Sequence, residues 1–289
     1  MSALGEKGWA TPQAAPRKPY IRIQPTSGWS ALNLGDLWRY RELLFILAQR
    51  DIKLRYKQTA LGVTWVILQP LIAAAIFAVV FGRLVGLSSD GAPYLLFAYV
   101  GVSAWNYFSG AVSRAGNSLV GQANLITKIY FPRLLMPLAS TLSVLVDLAV
   151  SFVLLVVLML LYRVVPGWQV MTLPFFLLLI TILAAGVSLW LSALGVYYRD
   201  FIFAMPFLIQ VWLYASPVIF STSEIPERWR WAFALNPMVA GIEGVRWAIL
   251  GESVLTMQMT AISSAVAVLL FLSGLFFFRR VERTFADVI

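Results

Sequence analysis

The sequence predicts an all-α integral membrane protein with six transmembrane helices, and three observations carry that prediction. Of its 289 residues 60% are hydrophobic and only 12% charged, with a mean hydropathy of +0.81. A soluble domain carries roughly twice that share of charge, so this chain has too little polar surface to enclose its apolar residues, and an ordinary cytosolic enzyme is excluded. Uncharged stretches recur that exceed the ~20 residues a helix needs to cross ~30 Å of hydrocarbon. The chain also has no Cys and no His, which removes disulfides, thiolate nucleophiles, Cys/His zinc sites and imidazole acid–base chemistry.

The elements follow in chain order. Residues 1–35 hold Pro12, Pro16, Pro19 and Pro25 and no apolar run. They read as a largely irregular cytoplasmic tail rather than a signal peptide. Uncharged stretches at 58–82, 91–113, 201–223 and 253–278 each mark a span. Residues 134–162 form another, interrupted only by Asp147. Residues 164–198 are too long for one helix, and Pro166-Gly167 marks a turn near their start. The expected helices are 61–85, 93–113, 137–162, 173–198, 201–221 and 256–278. Of the 22 Lys and Arg, seventeen then fall on the side of the termini and five on the other. This places both termini in the cytoplasm of a multi-pass membrane protein. The net charge of +9 is thereby accounted for by topology and anionic lipid rather than by nucleic acid.

Three segments neither span nor loop. Asp36–Lys57 has a plausible N-cap in Asp36 and an apolar stripe of Leu37, Tyr40, Leu44, Leu47 and Phe45. Arg50, Lys53 and Lys57 oppose that stripe. The pattern predicts an amphipathic helix in the membrane interface, basic side towards headgroups or a soluble partner; the plainer alternative is a topogenic anchor. Asn124–Pro137 is too apolar for a solvated loop and, with Lys128 and Arg133, too charged to span. Its Tyr130 and Phe131 beside those cations suit a protein contact, or else packing on its own bundle. Ser221–Glu252 predicts two short helices near 225–235 and 237–250, the second opened by Asn236-Pro237 and stopped by Gly251. Trp229, Trp231, Phe233 and Trp247 give the pair an interfacial character. Glu243 and Arg246, three residues apart, are placed to pair.

Apart from Arg83 in the last turn of the first, Asp147 is the only charge within an expected span, and an ionised Asp at mid-depth costs ~2.5–3.5 kcal/mol unless paired or solvated. Ser140, Ser143 and Ser151 share its face, and Ala185, Ser188, Ser192 and Gly195 make a small-residue stripe on the fourth helix. Close packing of these two stripes is the expectation, with a proton relay as the sharper alternative. Pro70, Pro206 and Pro217 should kink the first and fifth helices. Near them lie Trp65, Gln69, Gln210, Trp212 and Tyr214, and the second helix carries Trp105 and Asn106 at mid-depth. Rings with amide and hydroxyl neighbours suit sugars, whose C–H faces stack while their hydroxyls hydrogen-bond. No G-x-x-x-x-G-K-S/T, H-E-x-x-H or G-x-S-x-G occurs, so any energy for active transport enters through another chain.

Four ordered blocks, RYRELLFILAQRDIKLRYKQTALGVTWVILQP (39–70), LITKIYFPRLLMP (125–137), YYRDFIFAMPFLIQVWLYASPVIF (197–220) and LNPMVAGIEGVRWAILG (235–251), resemble the membrane permease subunits of ABC-2 type polysaccharide exporters. Such permeases move O-antigen, capsule and teichoic-acid polymers, and the likeness runs from about Asp36 to Arg283, leaving 284–289 as a cytoplasmic end. The resemblance implies a homodimer bound to two copies of an ABC ATPase that holds ATP and Mg, with no cofactor or metal and no catalytic residue in this chain. It makes 36–57 the interface helix and 124–137 a coupling helix, with Arg50, Lys53, Lys128, Tyr130, Phe131 and Arg133 as the ATPase contact. Residues 224–251 become two re-entrant outer gate helices carrying Trp229, Trp231, Asn236, Pro237, Glu243 and Arg246. The channel for a lipid-linked polysaccharide is implied along the first and fifth helices, with Trp65, Gln69, Phe207, Trp212 and Tyr214 as candidates. The competing expectations are an ABC-2 permease for a small lipid or drug, and an ion-coupled secondary transporter working through Asp147.

Overall fold

The computed structural model describes residues 38–57, 62–123, 125 and 131–285. The tail 1–35, Asn124, Lys128 and Tyr130 therefore lie outside the described residues. Those described are helical and turn segments, without a strand among them.

An N-terminal helix α1 (Arg41–Tyr56) is followed by α2 (Gly62–Phe77), which continues as a π-helix over Ala78–Val85. Then come α3 (Tyr94–Gly121), α4 (Leu135–Ser143) and α5 (Leu145–Tyr162). After a 3₁₀ turn at Trp168–Thr172 the chain forms α6 (Leu173–Tyr197) and α7 (Asp200–Tyr214). Two short helices, α8 (Glu227–Phe233) and α9 (Met238–Leu250), precede α10 (Met257–Val281).

Among the described residues five helical stretches are long and apolar enough to cross a membrane: 62–85, 94–121, 135–162, 168–197 and 257–281. The fifth expected span is shorter than the sequence suggested. Its helix α7 has 15 residues, about 22 Å at 1.5 Å per residue, and stops at Tyr214 instead of running to 221. Pro217 is the reason: it has no N–H to donate to residue 213 and biases Ser216 away from helical geometry. Pro70 and Pro206, by contrast, sit inside uninterrupted helices. The second span outruns expectation, since the helix continues past Arg114 to Gly121.

α3 is the axis of the bundle. Of its most apolar stretch 78% is buried, against 11% for the α2 span. It packs on α6, α4, α2, α5 and α9, which its small residues permit: Gly101, Ala104, Ala111, Ala115 and Gly116 are all buried. α6 lies between α3 and α10, and there two backbones nearly touch. A Cβ on Gly186 would stand 2.6 Å from Phe271 Cα, and one on Gly274 would stand 2.5 Å from the Gly186 carbonyl. The expected stripe-on-stripe packing is met in part: α4, which carries Ser140 and Ser143, packs on α6, whereas α5, which carries Asp147 and Ser151, has little contact with it. α1 lies along α4, burying Leu47 and Ala48 in a second core with Phe131, Leu134, Phe278 and Phe285. Phe45 of the expected stripe faces outward.

Candidate functional site

The helices leave a groove of about 650 Å³ between α2, α3, α5 and α7. Trp65 and Gln69 enter it from α2, Asn106, Ser109 and Ser113 from α3, and Gln210 from α7. These side chains arrive together because each helix turns one polar position per turn towards the same gap: Asn106, Ser109 and Ser113 are spaced by three and four residues. The wall thus pairs an indole face with amides and hydroxyls, able to stack on a ring and to donate and accept hydrogen bonds.

One end of the groove is charged. Arg55, Arg114 and Asp147 all line it. The Asp147 carboxylate accepts a bond from the Arg55 guanidinium at one oxygen and from the Tyr56 hydroxyl at the other. Arg114 Nη2 stands 3.6 Å from the same carboxylate. A second Arg55 nitrogen donates to Ser143 Oγ at 3.3 Å. Burial, reinforced by the hydrogen bond to Asp147 and its charge, pushes the Tyr56 phenol up to about 12, so it remains a donor at neutral pH. The pairing that an ionised Asp147 requires is thus present. Its partners come from α1 and α3, 92 residues before it in the case of Arg55.

A second set of contacts fastens α1 one turn further back. Asp51 accepts from Ser140 Oγ at 2.8 Å and pairs with Arg50 at 2.9 Å, while Arg50 also donates to Gln122. Lys53 and Lys57 remain exposed. Of the expected ATPase-contact residues, then, Lys53 faces outward and Arg50 is half-buried against its own bundle. Phe131 is buried in the α1–α4 core. Arg133 is fastened to the end of α10: its backbone N–H donates to Glu282 Oε1 at 2.8 Å and its guanidinium to the Glu282 carbonyl at 2.7 Å.

The opposite end of α3 meets α9. Glu243 and Arg246 pair there at 3.2 Å with both side chains 1% exposed. Arg246 also donates to the carbonyls of Pro217 and Val218, each at 2.6 Å, and lies 3.6 Å from the Phe97 ring centre. Those carbonyls belong to the turn that follows α7, so Arg246 supplies donors to backbone that lies outside any helix. Glu243 accepts from Thr222 N, Thr222 Oγ1 and Ser253 Oγ, each at 3.1 Å. Nothing in the sequence spacing of Glu243 and Arg246 revealed these further partners.

Asn236 is a three-way joint. Its carboxamide oxygen caps the start of α9 through Met238 N at 3.1 Å and accepts from Trp212 Nε1 at 2.9 Å. Its amide donates to the Ala215 carbonyl at 2.9 Å and to Ser216 Oγ at 3.0 Å. Trp212 packs edge-on against Phe108, so this expected channel residue serves as a strut between α7 and α9. Phe207 and Tyr214 are exposed and do not line the groove, nor does Trp212. Trp65 and Gln69 do. Pro237 is buried behind the joint, while Trp229 and Trp231 on α8 are exposed. Asn236→Ala should lower the stability of the solubilised protein by about 1–2 kcal/mol through loss of a cap. Asn236→Asp, which keeps the capping oxygen, should recover about half of that in a thermal melt.

Comparison with known proteins agrees with this architecture. The ABC-2 type transporter family pattern matches residues 42–250. The chain is 26% identical over 258 residues to an O-antigen export system permease protein RfbA of Klebsiella pneumoniae, covering 89% of this chain and 97% of that one. It is 29% identical over 207 residues to the RfbA permease of Myxococcus xanthus, covering 71% and 79%. With a helical bundle of membrane-crossing length and a family match over most of its residues, the chain is a member of the ABC-2 type transporter family.

Proposed function

We propose that this chain is the permease subunit of an ATP-driven exporter that carries a lipid-linked polysaccharide across the bacterial inner membrane. The observation that carries the proposal is the groove, where Trp65 stands among Gln69, Asn106 and Gln210. Its rings and amides have the chemistry of sugar recognition, and the relatives are named as O-antigen export permeases. Two copies of the chain would pair through the apolar faces that α2 and α7 leave exposed, among them Val63, Ile72, Phe203 and Phe207, extending the two grooves into one conduit.

In this reading α7 is a sixth crossing, completed by the turns after Tyr214. The termini and α1 are cytoplasmic, and α8 and α9 form an outer lid. ATP and Mg are bound by a separate ATPase, which docks on the outward side of α1 at Lys53 and Lys57 and on the segment containing Lys128 and Tyr130. Arg133 then serves as a tie that transmits movement of that segment to α10. When the ATPases close, α1 moves and Arg55 and Tyr56 draw the Asp147 end of α5 with them. Asp147 lines the groove, so the groove changes shape with α1.

Purification from native cells in mild detergent should yield a P-loop ATPase at one copy per permease, with hydrolysis stimulated by the lipid-linked polymer. Trp65→Ala with Gln69→Ala should reduce polymer export at least tenfold while leaving ATPase assembly intact. Repeated purification without any ATPase, together with ion-dependent uptake abolished by Asp147→Asn, would instead favour an ion-coupled transporter.

A further inference from the structure

α10 joins two separate packing regions at its two ends. Towards its C-terminus Leu275 and Phe278 share a core with Phe131 and Leu134. Towards its N-terminus Met259 shares a smaller core with Ala234 and Val239. Polar contacts fasten both ends as well. Helix termini leave backbone groups without partners, and α4 has no side-chain cap of its own at Leu134. Glu282 supplies an acceptor there: its Oε1 takes the Arg133 N–H at 2.8 Å, where a carboxylate also complements the helix dipole. In return the Arg133 guanidinium donates at 2.7 Å to the Glu282 carbonyl, just past the last turn of α10. Arg279 Nη1, 3.2 Å from Glu282 Oε2, holds the carboxylate in place. At the other end Ser263, fully buried, donates to the Ala234 carbonyl at 2.7 Å, with the Asn236 carbonyl at 3.4 Å. Ala234 closes α8 and Asn236 opens α9, so one hydroxyl holds the joint between them.

Little between these ends can give way. Residues 257–281 hold no Pro, Gly274 is pressed against the Gly186 carbonyl, and Trp190 stacks on Phe277 with ring centres 4.3 Å apart. Ser263 and Glu282 stand about 28 Å apart along the axis at 1.5 Å per residue. We propose that α10 is a rod connecting the Arg133 segment to α8 and α9, with Glu282 and Ser263 as the positioning residues at its ends. Displacement of the segment before α4 carries Glu282 with it, α10 shifts along α6 as one body, and Ser263 draws Ala234 and Asn236 after it. Asn236 is bonded to Trp212, Ala215 and Ser216, so the end of α7 moves in the same step. This route is separate from the one through α1 and Asp147. That an ATPase supplies the displacement, and that α8 and α9 are an outer lid, rests on the export reading above, whereas the rod rests on the contacts at both ends of α10.

The test is amide hydrogen exchange on the purified full-length protein in detergent, read by mass spectrometry. Glu282→Ala is expected to speed exchange about fivefold at 131–136 and, at the far end of the rod, about fivefold at 228–238. Glu282→Gln, which keeps a carboxamide oxygen for the Arg133 N–H, should restore at least half of both effects. Ser263→Ala should loosen 228–238 and also 131–136, because coupling between two sites is reciprocal. Independent sites this far apart add, so the double variant should fall short of the product of the two single effects. A purely local role for either residue would leave the far end unmoved. Faster exchange confined to the substituted end in each folded variant, or effects that multiply in the double variant, overturns the proposal. If Glu282→Ala does not fold, Glu282→Gln and Ser263→Ala decide it by the same comparison. If the far-end shifts are found but no ATPase co-purifies, the rod stands and the exporter reading falls. If a polymer-stimulated ATPase co-purifies while the far-end shifts are missing, only the rod falls.

Discussion

Arg246→Met is expected to destabilise the solubilised protein by about 3–5 kcal/mol, the cost of breaking a buried ion pair from one side. The substitution is close in volume, so the loss is one of charge and donors rather than of packing. It leaves Glu243, 1% exposed, without its cation, and it strips the donors from the Pro217 and Val218 carbonyls. The double variant Arg246→Met with Glu243→Gln should be more stable than Arg246→Met alone, because the orphaned carboxylate is gone. Chemical denaturation in mild detergent reads both. Protease sensitivity should rise first at residues 215–222, the segment that Arg246 holds, and equal loss in single and double variants would show that the carbonyl bonds alone matter.

Gly186→Ala comes next in expected effect. The added Cβ would stand 2.6 Å from Phe271 Cα and 2.7 Å from Phe271 N. Both are backbone atoms, which no rotamer change can move, so α6 and α10 must separate. Overpacking of this kind costs about 1–3 kcal/mol, and the upper end applies because α6 and α10 share one of the two most extensive helix contacts of the bundle. Gly274→Ala should behave alike, with its Cβ 2.5 Å from the Gly186 carbonyl oxygen. Gly121→Ala, which meets nothing within 4 Å, should leave the melting temperature within a degree or two. The lack of native Cys allows a direct readout: a Cys pair engineered across the α6–α10 contact should cross-link less readily in Gly186→Ala.

Much of this architecture is legible along the chain, for reasons that are local. Charge-free runs mark the cores of the spans because a charge in hydrocarbon is costly whatever its neighbours, and α6 falls at 173–197 against an expected 173–198. Asn236-Pro237 opens α9 and Gly251 closes it, at φ +84, as capping chemistry requires. The spacing of Glu243 and Arg246 indicated a pair because residues three apart on a helix are neighbours. The end of α3 was misplaced for an equally local reason: Arg114 reads as the edge of a span, whereas in the folded chain its charge faces the groove and the helix runs on to Gly121.

The sequence by itself determined the class of molecule, the positions of the apolar helices, the caps of α9 and the polar residues available to a site. Only the tertiary structure decided that Asp147 answers to Arg55 and Arg114, that Arg133 is tied to Glu282, that Trp212 braces Asn236, and that Arg246 holds the carbonyls of the turn after α7. Helical periodicity states which residues share a face, and the energetic cost of a buried charge states that a partner exists. Neither states which helix supplies it. That choice is made where small residues let backbones approach, as Gly186 and Gly274 do, and the order in which α3 gathers its neighbours sets which polar face meets which.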